Sequence, residues 1–486
     1  MAVLVALAVL FSCAWFFSGG GSNQNAHLAT VIALVEDRSL YLDRYAGMTG
    51  DLAAVPGHVV SAKPIATALA ALPAYLVARA ATAPVKNQGN RFIIRGYVTS
   101  VFTSGLALAA LAAAFYHLFR RRLSPADSAF LALGMTIATP LFPNSTMLTS
   151  HPLASLSAVL SYTLLERRSE GDGPASSRAL GAAGAFAGLS VCFEYQSAFV
   201  FLPLAAYAAY RCGRITRLGW FGLGALAVGA IPAVHHSLVY GSAFRTGYSS
   251  LVTEKHATDA SRGFVGFVPS EFSLFRLYHL TLGAFRGFFY LSPLLVLAIP
   301  GWVRMIRRRD TRPEGLATLC AALSVMLAVS TLVYWHSGSA TGSRYALLFV
   351  TFCGPAVAAW HAGYRPLTIA CVAVSFAFML MGTSVTAMPP SPGSGPPYYN
   401  VLGFWWEHFS KGDLAFWQGR VVHIEGIGDG GPTMRKAFNL GQLLGLGGLA
   451  SLLPYLGVLG ALGFAIWRAA RKASPDPPVC PESKNT

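Results

Sequence analysis

Thirteen apolar stretches follow one another along the chain, near residues 2–17, 64–82, 96–118, 126–142, 153–166, 179–193, 196–210, 218–239, 288–306, 316–335, 345–360, 366–385 and 440–467. A helix crosses the hydrocarbon of a bilayer with about 20 apolar residues. The pattern therefore predicts an all-α fold, a polytopic transmembrane bundle of about 11 to 13 helices. The stretches are too many and too evenly spread for a soluble domain with an anchor, so residues 1–472 read as one polytopic membrane domain. The first run has the length of a signal peptide but no basic residue before it, and it reads as a retained first helix. Residues 473–486 read as a disordered cytoplasmic tail.

One polar interval interrupts this pattern early, between Ser18 and Lys63. It contains SNQNAH (Ser22–His27), the acids Glu36, Asp37, Asp43 and Asp51, and a closing GHVVSAKP (Gly57–Pro64). In a chain otherwise built for lipid, such a loop is where chemistry is expected. Within it, Leu28, Val31, Ile32 and Val35 fall on one face at helical spacing, which predicts an amphipathic helix lying flat on the membrane surface. Asn23 and Asn25 suit its N-cap, or else position substrate.

Composition agrees with the pattern. Of 486 residues, 54% are hydrophobic and only 12% charged, with a mean hydropathy of +0.51; soluble domains carry roughly a quarter charged residues. The net charge of +16 sits in clusters at Arg120–Arg122, Arg167–Arg168, Arg211–Arg217, Arg304–Arg309 and Arg468–Lys472, each ending an apolar run. Cytoplasmic loops collect Lys and Arg, so these clusters mark an inner face rather than a nucleic-acid surface. Counting crossings from them puts residues 143–152, 240–285 and 386–439 on the outside with the first loop, joined by 336–343. With the first loop outside and Arg120 inside, the count requires an odd number of crossings between Lys63 and Arg120, so 64–82 is expected to dip into the outer leaflet and return. Seven scattered cysteines include no CxxC, and no GxxxxGK[ST], HExxH or EF-hand pattern occurs. No cofactor is thereby identified; a divalent cation is compatible with phosphate chemistry, but no metal motif is present.

Few charged groups remain on the outer side, and each is a candidate. Glu194 lies between two apolar runs in GLSVCFEYQSAFVF; acids in such settings are costly and mostly functional. Arg344 and Tyr345 follow a glycine-rich turn, SGSATGSRY, where backbone can approach a ligand closely and Arg can form paired bonds to phosphate. Arg286 opens RGFFYLSP in a similar setting, and His151 stands at the mouth of a helix beside Pro152. The aromatic stretch NVLGFWWEHF (Asn400–Phe409), with Trp417, suits either an interfacial belt or a sugar-stacking lid.

The first loop resembles the first outer loop of the C-type integral-membrane glycosyltransferases, whose relatives include lipid A aminoarabinose transferases, protein O-mannosyltransferases and bacterial core-sugar transferases. The likeness rests on SNQNAHLATVIALVEDRSLYLD followed by GHVVSAKP, and continues in TPLFPNSTMLTSHPLAS (Thr139–Ser155), EYQSA (Glu194–Ala198), FRTGY (Phe244–Tyr248), RGFFYLSPLLVLAIPG (Arg286–Gly301), GSATGSRYALLFVTF (Gly338–Phe352) and FNLGQLLGLGGLASLLPYL (Phe438–Leu456). The resemblance implies transfer of a sugar from a polyprenyl-phosphate donor to a glycan, lipid or protein acceptor in the envelope, at the outer face of the cytoplasmic membrane. It implies that Lys63, in the Lys-Pro element, pairs with donor phosphate, with His58 as a second phosphate or acceptor contact. Relatives carry an aspartate where this chain has Ser22, Asn23 and Gln24, and an amide is no general base. Asp51 and Asp43 are the candidate replacements, Asp51 first because it is nearer to His58 and Lys63 in sequence, with Glu194 next. The missing aspartate leaves a second class open, a transporter or flippase for a lipid-linked or polar solute, although no internal repeat of the transporter kind is visible.

The charge clusters make the topology testable. Reporters fused after Arg122, Arg214 or Arg309 are expected to signal cytoplasm, and reporters within Ala257–Arg262 or Gly428–Gly431 the outside. An outer-side signal at Arg309 overturns the scheme.

Overall fold

A computed structural model describes residues 1–166, 173–252, 271–391, 398–415 and 437–473. The Arg167–Arg168 cluster, the reporter positions within 257–262 and 428–431, Trp417 and the tail from 474 onward lie outside the described residues. Among the described residues the chain is largely helical, 73% helix in 20 α-helices, and five helices there are long and apolar enough to cross a membrane: Gln88–Phe119, Ile215–Tyr240, Arg312–Ser330, Arg365–Val385 and Gly448–Lys472. Each of the other apolar runs read from the sequence also contains helix, among them α1 (Ala2–Trp15) and α3 (Ile65–Ala81). One buried hydrophobic cluster runs from Val5 to Ile466 and joins α1 to the five long helices, while α3 packs in a second cluster with the first loop. The outward faces are apolar as well: on the helix Leu218–Tyr240, Leu226, Val234 and Leu238 are exposed by 74%, 58% and 75%. Water would penalise a surface of that kind, whereas hydrocarbon does not.

Helix pairs approach closely where side chains are absent. A Cβ on Gly184 would lie 1.9 Å from the Phe221 carbonyl oxygen, and one on Gly224 2.0 Å from that of Gly181. The helices Ser177–Phe193 and Leu218–Tyr240 therefore meet backbone to backbone along a glycine stripe, the small-residue packing that joins helices in lipid.

The bundle has two chemically different ends. At one, Arg122 lies 3.6 Å from Glu166, which Arg121 also contacts; Arg211 Nε donates to the Leu165 carbonyl at 2.8 Å, and Arg365 pairs with Asp127 at 3.1 Å. This basic end brings together members of three of the clusters that the sequence sets on one side, Arg121 and Arg122, Arg211, and Arg304 with Arg308. The helix Gln88–Phe119 (α4), about 48 Å long at 1.5 Å per residue, runs from the opposite end to Arg120. It lies antiparallel to α1, with the Tyr97 hydroxyl donating to the Ala14 carbonyl at 2.6 Å and Gly105 against Cys13.

The first loop forms the opposite end, and α3 stays with it. At its start Lys63 meets Asp51; near its end the Tyr75 hydroxyl and Arg79 Nε reach Glu36 at 3.1 Å and 3.0 Å. Arg95, at the start of α4, reaches the same carboxylate at 3.1 Å. Both ends of α3 thus contact the loop, and α3 is one continuous helix rather than a segment that dips and turns back.

Two expectations about this loop need correction. The helix α2 (Ser22–Ile32) does not lie flat with a polar face in solvent: Gln24 through Ile32 are all buried, polar and apolar alike. The rest of the loop folds over the polar face, where Asn25 Nδ2 donates to the Met48 carbonyl at 2.9 Å. Nor do the asparagines cap the helix. Gly21 is the N-cap, and Gln24 Oε1 accepts its amide at 2.9 Å.

Gly184→Ala is expected to force the two glycine-striped helices apart and lower stability by roughly 1–3 kcal/mol, the usual cost of overpacking. Gly222→Ala, on the partner helix Leu218–Tyr240 with nothing within 4 Å, should leave it unchanged. Paired thermal melts in detergent check this.

Candidate functional site

The loop's organising element is a hairpin of β2 (Leu52–Val55) and β3 (His58–Ser61). Its turn is Pro56–Gly57, with Gly57 at φ 77°, the Pro-Gly order of a type II turn. Register does the rest. Leu52 pairs with Ser61, and the Ala62 amide donates to the Asp51 carbonyl at 2.9 Å, so Asp51 stands beside Lys63 although twelve positions separate them. Lys63 Nζ lies 3.4 Å from Asp51 Oδ1 and donates to the Tyr248 hydroxyl at 3.2 Å.

Tyr248 comes from the FRTGY segment, which is clamped onto the hairpin. A Cβ on Gly247 would sit 2.6 Å from the Ala62 Cα, the Val252 amide donates to the Leu52 carbonyl at 3.0 Å, and the Tyr240 hydroxyl donates to the Ser61 carbonyl at 3.0 Å. Only glycine permits that approach at 247. Lys63 is consequently buried, its side chain 8% exposed. Burial alone would lower its pKa, yet the Asp51 carboxylate, with Tyr248 and Tyr345 nearby, holds it above the usual lysine range. The ammonium is charged and held in place, not a lysine snorkelling to water.

Around this pair the other motifs of the same end converge. Glu194 is buried; the Ser150 hydroxyl donates to its Oε2 at 2.6 Å, and His151 Nδ1 lies 3.5 Å from the same oxygen. Glu194, His151 and His27 all feel the charges of Lys63 and Arg344. Arg344 and Arg286 grip one glycine-rich turn from two sides. Arg344 Nη2 donates to the Ser337 carbonyl at 2.6 Å and Arg286 Nη2 to the Gly338 carbonyl at 3.0 Å, with Ser337 and Gly338 both in the left-handed region at φ 56° and 74°. Arg286 is wholly buried over the Phe285 ring at 4.1 Å, and burial pulls its guanidinium down to about 10, still charged at neutral pH. Its Nε and Nη1, and Nε of Arg344, are buried with no hydrogen-bond partner among the described residues. Buried guanidinium N–H groups left open in this way are costly until an anion accepts from them.

The structure therefore brings together Asp51, Lys63, His151, Glu194, Arg344 and Tyr345, with Arg286 adjoining. It does not bring Asp43 and His58 to them. These two pair with each other at 2.7 Å, about half exposed, and the Val59 amide donates to Asp43 Oδ1 at 2.8 Å. His58 sits at the hairpin tip, five residues or about 17 Å of strand from Lys63. Asn23 lies on the first turn of α2 with its Oδ1 buried and without a partner, while Asn25 is committed to Met48. The aromatic stretch divides: Trp405 is fully buried, its ring 2.7 Å from a Cβ placed on Gly382, and so serves packing rather than as a lid, whereas Trp406 is exposed.

Sequence reasoning missed two members. His27, one turn after Asn23 on the same face of α2, is buried with Nε2 unpartnered; burial, then Lys63, lowers its pKa to about 3, so the imidazole is neutral. Tyr248 holds the Lys63 ammonium. The signal for His27 was its i,i+4 spacing from Asn23 within SNQNAH; for Tyr248 it was the glycine that lets FRTGY approach the Lys-Pro element. Among the described residues no three His, Cys, Asp or Glu side chains group to hold a metal ion.

No protein-family model matches the chain, and no curated protein sequence matches it.

Asp43 makes the loop's stability pH-dependent. Burial would raise its pKa, but the Val59 amide and His58 hold it below the usual value. A lowered folded pKa contributes stability above the unfolded pKa, lost as pH falls through the folded one. Asp43→Ala should therefore lower the melting temperature at neutral pH, and the gap from wild type should narrow as the medium is acidified through the carboxylate range. A gap that stays constant with pH would show the carboxylate has no such role.

Proposed function

We propose that this chain is a C-type membrane glycosyltransferase that moves a sugar from a polyprenyl-phosphate donor to an acceptor of the cell envelope, a glycolipid, polysaccharide or protein. In this reading its basic end faces the cytoplasm, its 11 to 13 apolar segments span the inner membrane, and the first loop works at the outer face. The observation that carries the proposal is a cationic set, Lys63 and Arg286 buried and Arg344 part-buried, with unpartnered guanidinium N–H groups beside the carboxylates Asp51 and Glu194. Such a set suits a phosphate monoester or diester held next to a base.

The chemistry follows from these groups. The acceptor oxygen attacks the anomeric carbon while the bond from that carbon to the phosphate oxygen breaks. The electron pair leaves with polyprenyl phosphate, whose growing charge Lys63 and Arg344 neutralise in a low-dielectric site. The acceptor proton passes to a carboxylate. Asp51 is paired with Lys63; a donor phosphate would compete for that ammonium and release the Asp51 carboxylate to accept the proton. Glu194, fixed by Ser150 and His151, is suited to orient the acceptor.

Asp51→Asn is expected to lower turnover by about a hundredfold or more, the scale of a general base, with donor affinity little changed. Lys63→Ala should abolish transfer and also destabilise the loop, because removing one partner of a buried pair is costly; Lys63→Arg should retain part of the activity. Arg344→Lys keeps the charge but loses the planar fork, so it should weaken donor binding. A purified assay with a polyprenyl-phosphate sugar measures all four, and full activity in Asp51→Asn and in Glu194→Gln abandons the general-base mechanism. Mass spectrometry of envelope glycans with and without the protein names the substrates. Movement of a lipid-linked solute across vesicles with no sugar transferred would instead establish the flippase reading.

A further inference from the structure

The basic end contains a cavity of about 720 Å³, far along the bundle from Lys63. Its walls are of two kinds. Leu118, Phe119, Met305 and the stretch from Pro355 to Ala359 give it an apolar side between helices, and Arg122, Arg304 and Arg308 line its rim with Glu166 and Asp310. Both acids are already engaged, Glu166 by Arg121 and Arg122 and Asp310 by Arg308 at 3.2 Å. Arg304 has no hydrogen bond or ion pair among the described residues, and its place is built into the backbone. It reaches from the helix Ala298–Arg307 to the turn after His361, where a Cβ on Gly363 would lie 2.4 Å from its Nη1. Alanine there would push the guanidinium aside without disturbing any backbone.

A cavity that is apolar toward the helices and cationic at the rim complements an amphiphile with an anionic head. Basic pockets between transmembrane helices at the cytoplasmic side hold anionic lipid headgroups. A soluble anion would use the arginines and leave the apolar wall bare; a lipid uses both. We propose that this cavity binds one anionic phospholipid, its phosphate at Arg304 with Arg122 and Arg308 beside it and the start of its acyl chains against Phe119 and Met305. The site is independent of the transfer chemistry proposed for the other end.

The test uses the full chain purified in a nonionic detergent, titrated with dioctanoyl phosphatidylglycerol, dioctanoyl phosphatidylcholine or inorganic phosphate while the melting temperature is followed. The expected result is a saturable rise with phosphatidylglycerol alone, half-saturating at a concentration about tenfold or more higher in Arg304→Gln, the loss typical of one charge-assisted hydrogen bond. Gly363→Ala, which keeps every charge and displaces only Arg304, should weaken the response in the same direction; it decides the matter if Arg304→Gln folds poorly. Arg365→Gln, which does not line the cavity, should respond as wild type. An equal rise with phosphatidylcholine, a full rise with inorganic phosphate, or an unchanged response in Gly363→Ala overturns the proposal.

Discussion

The contact on which this structure turns is the buried pair between Lys63 and Asp51. A lysine ammonium taken out of water costs several kcal/mol, and that cost is met only if an anion and hydrogen-bond acceptors are fixed in place around it. Here the hairpin supplies the anion by register, because Leu52 opposes Ser61 and so sets Asp51 beside Lys63. The FRTGY segment supplies Tyr248. Neither would be held without the other, since Gly247 packs on Ala62 and Val252 bonds to Leu52. The charged pair thus ties the first loop to a segment nearly two hundred residues later, and that end of the bundle closes around it.

Much of this fold was legible as pattern. The apolar runs each contain helix, and Arg121, Arg122, Arg211, Arg304 and Arg308 gather at one end, because both features answer to a medium that has no water for backbone groups and little tolerance for charge. Local pattern was a poorer guide inside the first loop. The spacing of Leu28, Val31, Ile32 and Val35 describes an amphipathic helix correctly, but periodicity says only which face is apolar, not what covers the polar one. Here the 3₁₀ turn Asp43–Met48 and the hairpin cover it. The Asx cap failed for a related reason: Gln24 reaches back to Gly21, so the helix begins one residue before Asn23.

Sequence distance served the site equally unevenly. Asp51 was ranked above Asp43 because it is nearer to His58 and Lys63. The structure keeps the Asp51–Lys63 half of that argument and discards the His58 half. The difference is the Pro56–Gly57 turn, a signal present in the sequence as Pro-Gly between LAAV (Leu52–Val55) and HVVS (His58–Ser61). Read as a hairpin, it would have placed positions 51 and 62 opposite each other and sent His58 to the far tip with Asp43. The distant members, Glu194, Arg286 and Arg344, were legible for another reason: a charge beside apolar runs has to be accounted for wherever the chain folds. Their mutual proximity was not legible, since it depends on the path of helices between them.

The charge balance of the end formed by the first loop bears on what it binds. Two buried cations, Lys63 and Arg286, and the part-buried Arg344 face two buried or part-buried carboxylates, Asp51 and Glu194, and the neutral imidazole of His27 adds none. Lys63 and Asp51 compensate each other, and Glu194 is stabilised by Ser150. The arginines instead rest on carbonyl oxygens of Ser337, Gly338, Pro389 and Pro390, which carry only partial charge. A guanidinium satisfied by dipoles on one edge and open on the other is stable enough to fold and still short of an anion. That shortage, located beside a carboxylate a competing phosphate could free, favours a ligand that brings negative charge over a neutral solute passing through.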